Sequence, residues 1–139
     1  MSRLARFLAL PGSDKVLLIQ AFATLIGVRL ALPVVPIERL RAWACRLGAG
    51  GRPVDRIAWA GRTAARWVPG TTCLGAALAV QRLLSSSGHR GELHIGVARE
   101  NARFAAHAWV ECDGEVLVGE HERDLYTRLV AWRATAPPA

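Results

Sequence analysis

Apolar positions recur every three or four residues through the first half of the chain, and this spacing is typical of helices. The first helix is predicted from Ser13, a good N-cap residue, to about Leu32. Two more helices are predicted to begin at Pro36 and Pro53, because proline fits the first turn of a helix. We therefore expect residues 1–69 to form a helical layer.

The pattern changes after residue 70. Helical spacing continues once more over 73–87, with Thr71 or Thr72 as the N-cap. The period then shortens to two, which predicts strands over 93–97, 104–112 and 115–119. The expected fold class is α+β, with a helical amino-terminal half followed by a cysteine-bearing helix and a small antiparallel sheet.

Length and composition agree with one folded domain. The chain has 139 residues, the size of a single domain, and its 52% hydrophobic and 21% charged residues exclude disorder as the main state. Within this domain, 1–139, the chemistry is expected in residues 70–130. The tail 134–139, rich in alanine and proline, is predicted to be disordered.

Positive charge dominates, with 18 Lys+Arg against 11 Asp+Glu and a net charge of +7. The arginines are scattered and form no basic run, so nucleic-acid binding is not expected. The positive charge instead suggests an acidic partner. Cys45, Cys73 and Cys112 are odd in number and far apart. They indicate neither a disulfide framework nor a zinc site, and they favour the reducing cytoplasm.

The apolar stretch 16–35 is the strongest membrane candidate. Its uncharged part, 16–28, is shorter than the roughly 20 residues of a membrane span, and Arg29 and Pro33 interrupt the rest of the stretch. A buried helix is therefore expected rather than membrane association. The sequence leaves open whether the helix over 14–32 docks a partner or a membrane surface.

Cys73 and His107 are the candidates for chemistry. Cys73 falls in the first turn of a predicted helix, where free N–H groups and the helix dipole favour a thiolate and can hold an oxyanion. His107 lies in the apolar strand segment Phe-Ala-Ala-His-Ala-Trp-Val. A buried core cysteine and a packed strand histidine are the structural alternatives. Together the two residues suggest a nucleophile and its base.

A hairpin would add an acid to this pair. A two-residue turn at Asp113-Gly114 with an uninterrupted register places Glu120 opposite His107, with Cβ atoms about 5 Å apart. Glu120 is therefore predicted to orient the imidazole. Asp113 is the alternative acid, although turn chemistry explains it more simply.

Three segments within about residues 67–120 read TCLGAALAVQRLL from Thr72, HIGVAR from His94 and AHAWVECDG from Ala106. Together they resemble the leader peptidases of lasso-peptide biosynthesis, the B proteins, which are members of the transglutaminase-like superfamily. The resemblance implies a transglutaminase- or papain-like core. It also implies a cysteine peptidase in which Cys73 attacks the scissile carbonyl and His107 moves the proton. Family members often have Asp as the acid, and Gly119-Glu120 fills that region here.

The resemblance implies partners as well. The substrate would be a precursor peptide, cut between leader and core so that a lasso cyclase can use the new amino terminus. A separate leader-binding recognition protein is expected, because the first 70 residues show no winged-helix pattern.

Other functions remain possible on the same residues. A transglutaminase-like acyltransferase or amidase would keep the triad, and a non-catalytic peptide-binding module would not use it. Trp109 shares the face of His107 and is a candidate substrate-binding residue, with core packing as its alternative. No cofactor or metal is expected, since the histidines show no ligand spacing with the cysteines.

Overall fold

Five helices precede a four-stranded sheet in the part of the chain that the computed structural model describes, residues 2–100, 102–119 and 127–136, without the side chain of residue 100. The helices are α1 (Arg3–Leu8), α2 (Gly12–Ala31), α3 (Ile37–Ala44), α4 (Val54–Trp67) and α5 (Cys73–Ser86). The strands are β1 (Glu92–Glu100), β2 (Arg103–Cys112), β3 (Glu115–Val118) and β4 (Thr127–Arg133). They are antiparallel in the order β3-β2-β1-β4. The predicted α+β class is confirmed.

Helix α5 is the centre of the fold. It packs against α2, α3 and α4 on one side and against β1, β2 and β3 on the other. Most of its residues are buried, and four of them are small: Gly75, Ala76, Ala77 and Ala79. Small side chains let neighbouring elements approach the helix closely.

A buried glutamine joins α5 to the sheet. The side-chain amide of Gln81 donates a hydrogen bond of 2.9 Å to the carbonyl oxygen of Gly91, directly before β1. Because buried polar groups are costly without a partner, this bond fixes where β1 leaves the helix.

Two details of the helical half differ from the sequence predictions. Helix α1 is not predicted, because six residues are too few for a periodic pattern. Helix α2 begins at Gly12 with Pro11 as its N-cap residue, so Ser13 lies inside the first turn. The predicted Ser13 cap is wrong, since the residue that precedes the helix is Pro11, which has an extended conformation (ψ 151°).

The outer side of α2 remains apolar. One face is buried and contains Leu17, Leu18, Ala21, Leu25 and Val28. The opposite face exposes Val16, Ile19, Ile26 and Leu30. In the described ranges, every helix is too short or too polar to cross a bilayer.

The carboxyl-terminal segment returns to the helical half. Strand β4, which the sequence does not predict, pairs with β1. Beyond it, the Thr135 N–H donates to the Cys45 carbonyl, and the Leu47 N–H donates to the Thr135 carbonyl. Ala134 is buried. Residues 134 and 135 are therefore ordered by these bonds, unlike the predicted tail, and residues 137–139 lie outside the described residues.

The β2–β3 hairpin has the predicted turn but a different register. Asp113 and Gly114 both have positive φ, 52° and 80°, as a type I′ turn requires. An uninterrupted register would pair Val110 with Leu117, but a bulge pairs Val110 with Val118. The predicted register is therefore wrong from Val110 onward, because the extra residue in β3 shifts every later pairing.

The contact between α4 and α5 allows a test of packing at Gly61. A Cβ atom there would overlap Cγ2 of Val80, a stiff β-branched side chain that is 1% exposed. We expect Gly61→Ala to lower the free energy of unfolding by about 1–3 kcal/mol in urea titrations. Gly27→Ala is the matched control, since nothing lies within 4 Å of its Cβ position on α2. The control should stabilise by about 0.5–1 kcal/mol, and equal effects of the two changes would contradict this packing.

Candidate active site

Cys73 is the first residue of α5, directly after its N-cap. The Thr72 hydroxyl accepts a hydrogen bond of 3.0 Å from the Gly75 N–H, so Thr72 is the cap that the sequence predicts as Thr71 or Thr72. The Cys73 side chain is exposed, whereas Cys45 and Cys112 are buried free thiols.

Two backbone donors remain at this helix end. The Thr72 carbonyl accepts the Ala76 N–H, and its hydroxyl takes the Gly75 N–H. Among the hydrogen bonds of the described residues, none uses the N–H of Cys73 or Leu74 as donor. These two groups, at the positive end of the helix dipole, can bind an anion beside the thiol.

The loop before Cys73 is held by α2 and by its own turn. The Arg29 guanidinium donates to the Pro69 carbonyl oxygen. The Thr71 hydroxyl donates to the Val68 carbonyl over 2.7 Å. The position of the Cys73 helix end therefore depends on contacts with the amino-terminal half of the chain.

His107 lies on β2, opposite Gly96 of β1. Its Nε2 is 3.0 Å from the carbonyl oxygen of Gly119. A carbonyl oxygen can only accept, so Nε2 donates the proton of this hydrogen bond. With Nε2 as the donor, Nδ1 is the ring nitrogen that would act as a base. Sequence reasoning missed the Gly119 carbonyl, because a backbone acceptor leaves no signal in residue identity.

Trp109 stacks between two histidines on one face of the sheet. Its ring centroid is 5.5 Å from that of His94 and 6.3 Å from that of His107, with interplanar angles of 20° and 21°. Gly96 makes room for the ring, since a Cβ there would meet two ring carbons at 3.0 Å. Trp109 is only 3% exposed. This burial favours the packing role, and its role in substrate binding stays a prediction.

His94 is fully buried at the other end of this stack. Its Nε2 is 2.6 Å from Oε2 of Glu111, and its Nδ1 is 3.5 Å from Nη1 of Arg128. Burial is the main cause of a lowered pKa of His94, with Arg128 and Arg133 acting in the same direction. Glu111 and Glu92 partly oppose them. His94 is therefore a neutral ring that supports Trp109.

Helix α5 packs on β2 through the core residues Ala108, Val110 and Cys112. Because side chains alternate along a strand, His107 projects from the other face of β2, and this packing does not itself bring the imidazole to Cys73. The pairing of Cys73 with His107 stays a prediction.

Glu120 lies outside the described residues, and its role stays a prediction. The register that placed it opposite His107 is the one that the bulge replaces. Asp113 is exposed in the turn, about 16–20 Å along β2 from His107, which supports its turn role.

Comparison with known proteins identifies the family. A model of the transglutaminase-like superfamily matches residues 22–131. The chain belongs to this superfamily. Its members include cysteine peptidases and acyltransferases. Searches of curated proteins and of solved structures gave no match. Within residues 2–100, 102–119 and 127–136, no three His, Cys, Asp or Glu side chains are grouped to hold a metal ion.

The exposure of Cys73 predicts selective alkylation. Burial raises the pKa of both Cys45 and Cys112, which are 4% and 6% exposed. We expect iodoacetamide to label Cys73 of the native protein at least about tenfold faster than the other two, as mapped by mass spectrometry. In urea all three should react, and Cys73→Ala should stay unlabelled when native. Native labelling of Cys45 or Cys112 at the rate of Cys73 would contradict the structure.

The buried His94 predicts a loss of stability in acid. Because its pKa is lowered in the folded state from 6.5, the unfolded chain binds a proton below about pH 6.5 that the folded chain does not. The free energy of unfolding should therefore fall as pH decreases, by up to about 1.4 kcal/mol per unit from this residue. His94→Gln should flatten the fall between about pH 6.5 and 5.5 in urea titrations. His89→Gln, outside this network, should keep the steeper fall, and an unchanged slope in His94→Gln would contradict the assignment.

Proposed function

We propose that this protein is a cytoplasmic cysteine peptidase that removes the leader from a lasso-peptide precursor. The observation that carries the proposal is the position of Cys73, an exposed thiol at the capped amino terminus of α5, in a superfamily with cysteine peptidases. The assignment of His107 as the base of this thiol rests on the resemblance to leader peptidases. The resemblance of residues 67–120 to lasso leader peptidases supports the finer assignment.

The proposed chemistry uses the thiol and the N–H groups at the helix end together with the imidazole of His107. The Cys73 thiol passes its proton to Nδ1 of His107, and sulfur attacks the scissile carbonyl carbon. The oxyanion is held by the free N–H groups of Cys73 and Leu74. His107 then protonates the leaving amine, and water hydrolyses the thioester to release the leader acid and the free enzyme.

A backbone carbonyl orients the base in this proposal. The Gly119 oxygen holds Nε2–H of His107, the task that a carboxylate performs in Cys-His-acid sites. Glu120 follows Gly119 directly in the sequence and stays the predicted carboxylate member. Trp109, stacked on His107, limits rotation of the imidazole.

The proposal includes the partners that the resemblance implies. A separate recognition protein holds the leader, and the lasso cyclase uses the amino terminus that cleavage creates. The excess of arginine suits an acidic leader or partner surface.

Cleavage of a precursor tests the proposal. The neighbouring genes would be searched for a short precursor and a small leader-binding protein, and these would be incubated with the enzyme while mass spectrometry follows the products. We expect one cut at the leader–core junction, lost at least about 10³-fold in Cys73→Ala and about 10²–10⁴-fold in His107→Ala. Cys112→Ala is the control that removes a thiol outside the site, and it should keep the activity.

Two results would contradict the peptidase assignment. Unchanged cleavage by Cys73→Ala would exclude the nucleophile. A product with added mass when glycine amide is present, formed in preference to the hydrolysed acid, would instead indicate an acyltransferase.

A further inference from the structure

A cavity of about 700 Å³ lies between α1, α2 and α4. This helix cavity is lined by positions three or four residues apart on each helix, such as Arg3, Arg6 and Phe7 of α1. On α4 the lining residues lie along one side of the buried stripe that contains Ile57, Ala60 and Ala64. The cavity is thus a product of three packed helix faces, separate from the sheet and from His107.

The walls of the helix cavity combine aromatic rings, leucines and arginines. Four large rings line it, those of Phe7, Phe22, Trp59 and Trp67. Trp67 is 45% exposed at the mouth. The volume suits a few large side chains or a small ligand, and exposed aromatic surface of this kind is typical of binding sites.

Three arginines line the same cavity: Arg3, Arg6 and Arg66. Arg3 lies over the Trp67 ring at 4.0 Å. No carboxylate lines the cavity, and in the described part of the chain none of the three arginines forms an ion pair. Unpaired cations beside apolar walls are complementary to a ligand that carries both carboxylates and large apolar side chains.

The helix cavity is also close to the nucleophile along the chain. Trp67 ends α4, and Cys73 begins α5 six residues later, a separation of at most about 20 Å. The Arg29 contact with Pro69 holds the intervening loop. An extended peptide of about six residues can therefore reach from the cavity to Cys73. This distance favours a peptide as the occupant, because a lipid headgroup has no peptide bond for the thiol to cleave.

We propose that the helix cavity binds an acidic segment of the peptide substrate, with its aromatic or large aliphatic side chains between the helices and its carboxylates on the arginines. The identity of this segment as part of the leader rests on the proposed function. The binding itself does not, because it requires neither the thiol nor His107.

Binding of short peptides to Cys73→Ala tests this site apart from catalysis. The probes are a fluorescein-labelled, amidated pentapeptide Glu-Phe-Glu-Leu-Glu, its counterpart with glutamine for glutamate, and its counterpart with alanine for phenylalanine and leucine. By fluorescence anisotropy we expect the first peptide to bind at least about tenfold tighter than either counterpart. Its affinity should fall as NaCl is raised from about 0.05 to about 0.5 M.

Charge reversal locates the binding. The double variant Arg6→Glu with Arg66→Glu should lower the affinity for the acidic peptide at least about tenfold. The control is Arg39→Glu with Arg41→Glu on α3, outside the cavity, which should change this affinity less than about twofold. Circular dichroism confirms that each variant is folded. Equal affinity of the acidic and glutamine peptides, or equal loss in both double variants, would overturn the proposal.

Two further outcomes separate this site from its alternatives. The protein could instead bind vesicles of phosphatidylserine and phosphatidylcholine through Arg6 and Arg66 and fail to bind the acidic peptide. That result would overturn the proposal in favour of a membrane surface. Peptide binding that persists when the precursor is not cleaved would support the site and contradict only the peptidase function.

Discussion

The burial of α5 between three helices and three strands is the constraint on which the rest of the structure depends. A helix covered on both sides needs small residues where its neighbours approach, and Gly75, Ala76, Ala77 and Ala79 supply them. Its buried Gln81 uses its amide to fix the start of β1. Only the amino-terminal turn stays open, and that turn carries Cys73. Burial of the helix and exposure of the thiol are thus two results of one arrangement.

The sheet positions His107 by a second set of close contacts. The bulge in β3 shifts the pairing of the hairpin, and Gly119, with its positive φ of 78°, lies against the backbone of Trp109. Its carbonyl meets the imidazole of His107. The Trp109 ring then supports that imidazole from one side, while buried His94 supports Trp109. The base is therefore held by backbone geometry and ring stacking together.

The helical half contributes to both the proposed active site and the proposed substrate site. Arg29 of α2 holds the loop that leads to Cys73, and α4 carries Trp67 at the mouth of the helix cavity just before that loop. Part of the excess positive charge of the chain, which is +7 in total, lies at this cavity. Three arginines line it, and none of them forms an ion pair within the described residues. The proposed substrate site and the proposed nucleophile would then be separated by only six residues of chain, from Trp67 to Cys73.

Residue spacing alone determined the helices α2 to α5, the first three strands, the Thr cap before Cys73 and the turn at Asp113-Gly114, because each depends on local periodicity or on one residue's backbone preference. It also singled out Cys73 and His107. Only the tertiary structure decided the register after Val110, the pairing of β4 and the contact of His107 with Gly119. A bulge, a distant strand partner and a carbonyl acceptor all arise from packing between segments far apart in sequence, and no local pattern encodes them.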